Sequence, residues 1–234
     1  EIAVTWETPA VIFDQGPNLI NFDVDTTGLL GGLTFRGNTS VTSTNVGSMD
    51  HIPATNLGNF LTGTPFPILG TFLAPSPPNE QAYAAPSVAY DSSGGPNNGR
   101  LYLTYADEQA NESDNLDIFI RHSDDNGVTF SDPVRVNDDI GFHSQFFQSI
   151  AVDQSNGVIV MGWYDARNDI LGGTSDTDGL LNTDVEYFVT ASYDGGETWM
   201  PNVKVSAGPS NAPDNFLNGF SLSLFGNYTG ITAA

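Results

Sequence analysis

Two stretches of the chain alternate apolar and polar positions on both sides of a short polar turn. In the first, Asp117-Ile118-Phe119-Ile120-Arg121 leads into Ser-Asp-Asp-Asn-Gly-Val-Thr-Phe at 123–130, and Pro133-Val134-Arg135-Val136 follows. In the second, Glu186-Tyr187-Phe188-Val189-Thr190 leads into Ser-Tyr-Asp-Gly-Gly-Glu-Thr-Trp at 192–199, and Asn202-Val203-Lys204-Val205 follows. Period-two alternation around a tight turn predicts a β-hairpin in each. Further upstream the two stretches still align. Pro86–Asp91 parallels Gln148–Asp153, and Arg100–Asp107 parallels Val158–Asp165. Each unit therefore predicts four strands, joined by turns of unequal length.

A four-stranded unit repeated along a chain has apolar faces that only its neighbours can cover. The expected fold is all-β, a partial or small β-propeller built of four-stranded antiparallel blades. A worn third copy is expected near the start, where Gly32-Leu33-Thr34-Phe35 keeps half of the turn pattern and Val41 keeps the following strand. Its Ser and Asp positions are Gly28 and Leu30. At the far end, Tyr228–Ala233 reads as the first strand of a further blade. Prolines at 53, 65, 67, 75, 77 and 78 mark a connection, with an edge strand expected around Ile68–Phe72. The predicted organisation is an N-terminal β region over 1–50, a Pro-rich connection over 51–85, blades over 86–145 and 146–210, and the start of another over 211–234.

The shared pattern, S-x-D-x-G-x-T-(F/W), resembles the Asp-box, the bacterial neuraminidase repeat of sialidases and sialidase-like propellers. Its residue types suit a turn. Asp125 and Asp194 are placed to accept turn amides, with Ser123 and Ser192 assisting and Thr129 and Thr198 completing the pattern. Gly127 and Gly196 permit a positive φ, and Phe130 and Trp199 supply an aromatic anchor. The resemblance implies that these boxes lie on the blade periphery, away from any active site. It also implies what a sialidase would need: three arginines gripping a carboxylate, a Tyr nucleophile with a Glu partner, and an Asp acid/base. The chain has five arginines. Arg121 and Arg135 stand where the other repeat has Thr190 and Lys204, and both are expected to face outward. Arg36 lies in Phe-Arg-Gly-Asn, not the family's Phe-Arg-Ile-Pro. Arg100 and Arg167 remain, too few for the cluster. The reading is a non-catalytic module for surface adhesion or self-assembly, a filament protomer joined by strand donation. The alternative is a sialidase-like glycan hydrolase or a sugar-binding propeller.

Composition narrows the partners. The chain of 234 residues carries 28 acidic residues against 6 basic, a net charge of -22, which argues against phosphate-backbone binding and docking on anionic membranes. Hydrophobic residues at 39% and aromatic ones at 11% still supply a core. The absence of cysteine excludes disulfides, zinc–thiolate sites and cysteine nucleophiles. No run approaches the ~18 apolar residues of a membrane span. Opening at Glu1 without Met, the sequence reads as processed or as a fragment. Its acidity fits an extracellular or cell-surface protein whose partners are copies of itself, other surface proteins or glycans.

Two stretches carry candidate chemistry. Trp163, Tyr164, Asp165 and Arg167 end a strand and open a long loop, where stacking and bidentate hydrogen bonds would bind a sugar. The competing reading is an Asp–Arg pair and an aromatic core edge that order the loop. Within that loop, Asp176, Asp178, Asn182 and Asp184 are hard oxygen ligands for calcium, although their spacing is not that of an EF-hand. A second acidic patch, 111–117, occupies the same loop of the other unit. His51, His122 and His143 lack zinc-site spacing. His122 stands where the other repeat has Ala191 and reads as a tolerant surface position. N-x-S/T sequons occur at Asn38, Asn111 and Asn227.

Overall fold

The computed structural model describes residues 2–8, 19–25, 39–42, 85–107, 116–141, 143–169, 184–211, 216–217, 220–221 and 229–233. All regular structure among them is strand. An N-terminal sheet pairs β1 (Ile2–Thr8), β2 (Leu19–Asp25) and β3 (Thr39–Thr42) in that order. A second sheet runs β4 (Ser87–Tyr90), β5 (Leu101–Asp107), β6 (Asp117–Ser123), β7 (Val134–Arg135). A third runs β8 (Gln145–Val152), β9 (Ile159–Asp165), β10 (Asp184–Ser192), β11 (Val203–Lys204), with β12 (Ser210–Asn211) also pairing β10. A short ladder joins β13 (Phe216–Leu217) to β14 (Phe220–Ser221). The ladders are antiparallel, and β4–β7 and β8–β11 run as meanders in chain order. The four-stranded units therefore fall where the alternation places them.

The sheets stack in sequence order because each apolar face needs a neighbour. Every residue of β5 is buried. Its Leu101, Leu103 and Tyr105 join clusters with Ile20, Phe22 and Val24 of β2, while Tyr102 and Ala106 join Ile159, Met161 and Trp163 of β9. The turn aromatics fill the same seams. Phe130 meets Phe22 edge-on, with ring centroids 5.6 Å apart, and Trp199 packs against the core shared by the second and third sheets. Each turn thus anchors its sheet to the one before it.

Two features differ from the sequence expectation. Residues 229–233 form no strand, although Tyr228–Ala233 was expected to begin one. Instead the Thr229 hydroxyl donates to the Phe147 carbonyl at 2.6 Å, so local alternation there is not matched by a partner strand among the described residues. Secondly, β8 carries a register shift between Phe146 and Ser149, where Phe147 adopts a φ of 52°. The worn turn at 28–35 and the expected edge strand at Ile68–Phe72 lie outside the described residues.

Candidate functional site

The strands divide the candidate residues between two ends of the stack. At one end β6 and β10 terminate in the two S-x-D-x-G-x-T turns. Asp125 accepts the amides of Val128 and Thr129 at 3.0 and 2.9 Å and the hydroxyls of Thr129 and Ser123 at 2.6 and 2.7 Å. The Ser123 hydroxyl in turn accepts the Gly127 amide at 2.7 Å. Asp194 repeats the set with Glu197, Thr198 and Ser192, and Ser192 takes the Gly196 amide. Gly127 and Gly196 hold φ values of +75° and +92°, which a side chain would strain. These bonds depress both carboxyls. The Thr129 hydroxyl above all brings Asp125 down to about 2, and the Thr198 hydroxyl lowers Asp194.

Arg100, also at this end, holds Asp124 through Nε and Nη2 at 2.8 and 3.0 Å, and its Nη1 donates to the Gly195 carbonyl at 3.4 Å. It ties the two turns together across the seam. His122 is not a free surface residue. Its two ring nitrogens lie 3.9 Å from Asp124 and 3.8 Å from Glu197, which come from different turns.

The opposite end gathers Trp163, Asp165 and Arg167 with polar residues that the sequence reading passed over. Asp165 is fully buried and accepts the Trp163 indole N–H at 2.9 Å, the Arg167 amide at 2.9 Å and Arg167 Nε at 2.9 Å. Arg167 Nη1 donates to Asp138 at 2.6 Å and Nη2 to Asn202 at 2.9 Å. Its guanidinium also covers the Phe188 ring, 4.5 Å from the centroid. Asp138 and Asn202 exchange backbone-to-side-chain bonds at 2.8 and 2.9 Å. Asp138 follows β7 of the second sheet and Asn202 precedes β11 of the third, so the cluster clasps one sheet to the next. Burial pushes the Asp165 carboxyl up. Burial opposes the charge on Arg167, yet its bonds to Asp165 and Asp138 hold it above its ordinary value.

This geometry limits what the four candidate residues can do. Trp163 has no exposed surface and offers no face for a sugar. Tyr164 lies on the other side of β9, half-buried against Phe146 and Tyr187 at centroid distances of 5.8 and 5.4 Å.

Arg135 and Arg121 also depart from the outward orientation expected of them. Arg135 reaches the fully buried Asp117 at 2.8 Å, and Arg121 donates to the Tyr105 hydroxyl at 2.9 Å. Lys204 meets Glu186 at 2.8 Å at the position equivalent to the Arg135–Asp117 pair. An acid near the start of the third strand and a base in the fourth occur in both repeats, a signal visible in the aligned sequence. Asn137 and Gln145 complete the network, with Asn137 Nδ2 donating to Asp117 and to Gln145 Oε1 at 2.6 and 2.7 Å.

Of the calcium candidates, Asp176, Asp178 and Asn182 lie outside the described residues. Asp184 opens β10, and its amide donates to the buried Asp169 at 3.0 Å. Among the described residues no group of three or more His, Asp or Glu side chains is arranged to hold a metal ion.

No family model and no curated protein matches the chain. Among solved structures it is similar to a Hadza microbial sialidase, at 19% identity over 53% of this chain and 26% of that one, with a TM-score of 0.37. It is similar to the NanB sialidase of Streptococcus pneumoniae at 12% identity over 52% of this chain and 35% of that one, again at 0.37. An N-acetylgalactosamine deacetylase of F. plautii matches at 16% identity over 87% of this chain and 51% of that one, with a TM-score of 0.33. The chain thus spans about half or less of these structures. Likenesses of this size assign neither family nor activity.

Proposed function

We propose that this chain is a non-catalytic Asp-box β-propeller module of the cell exterior, whose stacked sheets present surfaces for adhesion or self-assembly. One observation carries the reading. An arginine that grips a ligand carboxylate must turn its donors outward, whereas Arg167 spends Nε, Nη1 and Nη2 on Asp165, Asp138 and Asn202. The most suggestive cluster in the sequence is thereby committed to holding two sheets together. Its partners under this reading are copies of itself, other surface proteins or surface glycans. Calcium in the 172–184 insertion would relieve part of the self-repulsion of a chain at -22, and would raise the melting temperature by mass action. Identical melting curves in millimolar calcium and in excess chelator count against that ion.

The reading is tested with a fluorogenic sialoside and a panel of immobilised glycans. Turnover by the wild-type chain is expected to stay at the buffer blank. Sialoside turnover by the wild-type chain above that blank would move the assignment to a hydrolase.

A further inference from the structure

The two four-stranded units share a backbone detail that no side-chain pattern announces. Ala85 and Phe147 each stand one residue before the aligned stretches Pro86–Asp91 and Gln148–Asp153. Both hold left-handed φ values, 43° and 52°, a conformation that persists in non-glycine residues only where the surroundings over-determine it. The Ala85 carbonyl accepts the Gln148 side-chain amide at 2.7 Å, from the first strand of the following sheet. The Phe147 carbonyl accepts the Thr229 hydroxyl at 2.6 Å. The link between the second and third sheets is therefore repeated between the third sheet and residues 229–233. It sets that segment where the first strand of another sheet belongs, and no strand pairs with it among the described residues.

The N-terminal sheet is the complement. Its β1 touches β4 as β5 touches β8. Phe22 of β2 lies against Gly127 as Ile120 of β6 lies against Gly196. By these matches β1, β2 and β3 correspond to the second, third and fourth strands of a unit. Among the described residues the first strand is the one missing, beside the edge of β1 that does not pair with β2.

A third observation concerns the far face of the third sheet. Val134 and Val136 pack into the core between the second and third sheets. Their counterparts Val203 and Val205 are 56% and 55% exposed. Val160, Tyr164 and Val189 share this face with Val203 and are only partly covered, while Ile159, Met161, Trp163 and Phe188, which alternate with them, are buried against the second sheet.

From these observations we infer that a second copy of this chain seats its β1–β3 sheet on that face, and that residues 229–233 of the first copy pair along the edge of the second copy's β1 that has no partner among the described residues. The interface continues the stacking already present between the three sheets. The chain's own β1 stands against β4, with the β4–β7 sheet between it and the face on which residue 229 lies. Pairing within one chain would therefore require leaving Phe147. The contact is head-to-tail, so it propagates into a ring or a filament. Strand addition supplies main-chain hydrogen bonds along an edge that is otherwise a liability.

This inference rests on the assembly reading above and is tested separately by sedimentation velocity with multi-angle light scattering at micromolar concentration. The 234-residue chain is expected to form species at multiples of 24.9 kDa. Deleting residues 229–234, or Val205→Glu on the exposed face, is expected to weaken association at least about tenfold while circular dichroism stays unchanged. Val128→Glu, at a 59% exposed turn position away from the face, is expected to leave assembly intact. A 234-residue chain that is monomeric overturns the inference, as does assembly that survives either the deletion or Val205→Glu. A monomer that leaves sialosides untouched sinks only this inference, whereas sialoside turnover sinks the proposed function whatever the mass.

Discussion

Replacing Arg167 by methionine removes the cation from the inter-sheet clasp while keeping much of its length. Asp165, with no exposed surface, would retain the Trp163 indole, the backbone amide of residue 167 and a longer Gln145 contact at 3.3 Å. It would lose Nε at 2.9 Å and the Nη2 ion pair at 2.8 Å. Breaking one side of a buried ion pair costs about 3–5 kcal/mol, and the lost stacking over Phe188 adds about 0.5–1 kcal/mol. Protonation of Asp165 limits the loss, so a net cost of about 2–4 kcal/mol is expected at pH 7. The double variant Asp165→Asn/Arg167→Met removes both charges and is expected to recover at least about 1 kcal/mol of that cost, read from urea unfolding followed by tryptophan fluorescence. The pH dependence has a definite sign. A buried carboxyl held above its unfolded value binds a proton in the folded state first, so the deficit of the single variant shrinks on acidification and grows as the pH rises. A single-variant loss under about 1 kcal/mol, or a double variant as unstable as the sum of its parts, would refute the clasp.

Other consequences follow from the turns. Asp194→Ala leaves the Glu197 and Thr198 amides without their acceptor; it is expected to lower stability by about 1–3 kcal/mol, measured by urea unfolding, without altering assembly mass. Asp125, held at about 2 by the Thr129 hydroxyl, contributes stability that is full above about pH 4 and lost as the pH falls through 2. An acid titration of Asp125→Asn should be flatter than that of the wild type over that window. A methyl group at Gly127 would sit 2.1 Å from the Phe22 ring in a residue at φ +75°, so Gly127→Ala is expected to cost about 2–4 kcal/mol in thermal unfolding. Gly208→Ala, in open space, should stay within about 0.5 kcal/mol of wild type.

Alternation and repetition along the chain were sufficient to place β4–β7 and β8–β11, because a strand buried on one face must repeat its apolar positions with period two. The turn residues were equally legible. Ser, Asp, Gly and Thr at fixed offsets are locally sufficient to satisfy a turn's amides, with no help from distant segments. What sequence could not reach was the partner of each charged side chain. For Arg167 the sequence left open a sugar contact and an Asp–Arg pair; the pair with Asp165 is present, but Asp138 and Asn202, which take its other donors, come from different sheets and could not be read. Arg135 read as outward, yet its strand places it over the buried Asp117. Strand alternation gives a side chain's face but not what a neighbouring sheet brings to that face. Trp163 shows the same division: its place in a strand was evident, while its complete burial depended on the second sheet closing over β9. The left-handed Ala85 and Phe147 left no trace in residue type. Neither is glycine or asparagine, and each offers its carbonyl to a residue far along the chain, Gln148 or Thr229. Local physics determined the units, and the stacking of one unit on the next decided which polar residues remain for a partner.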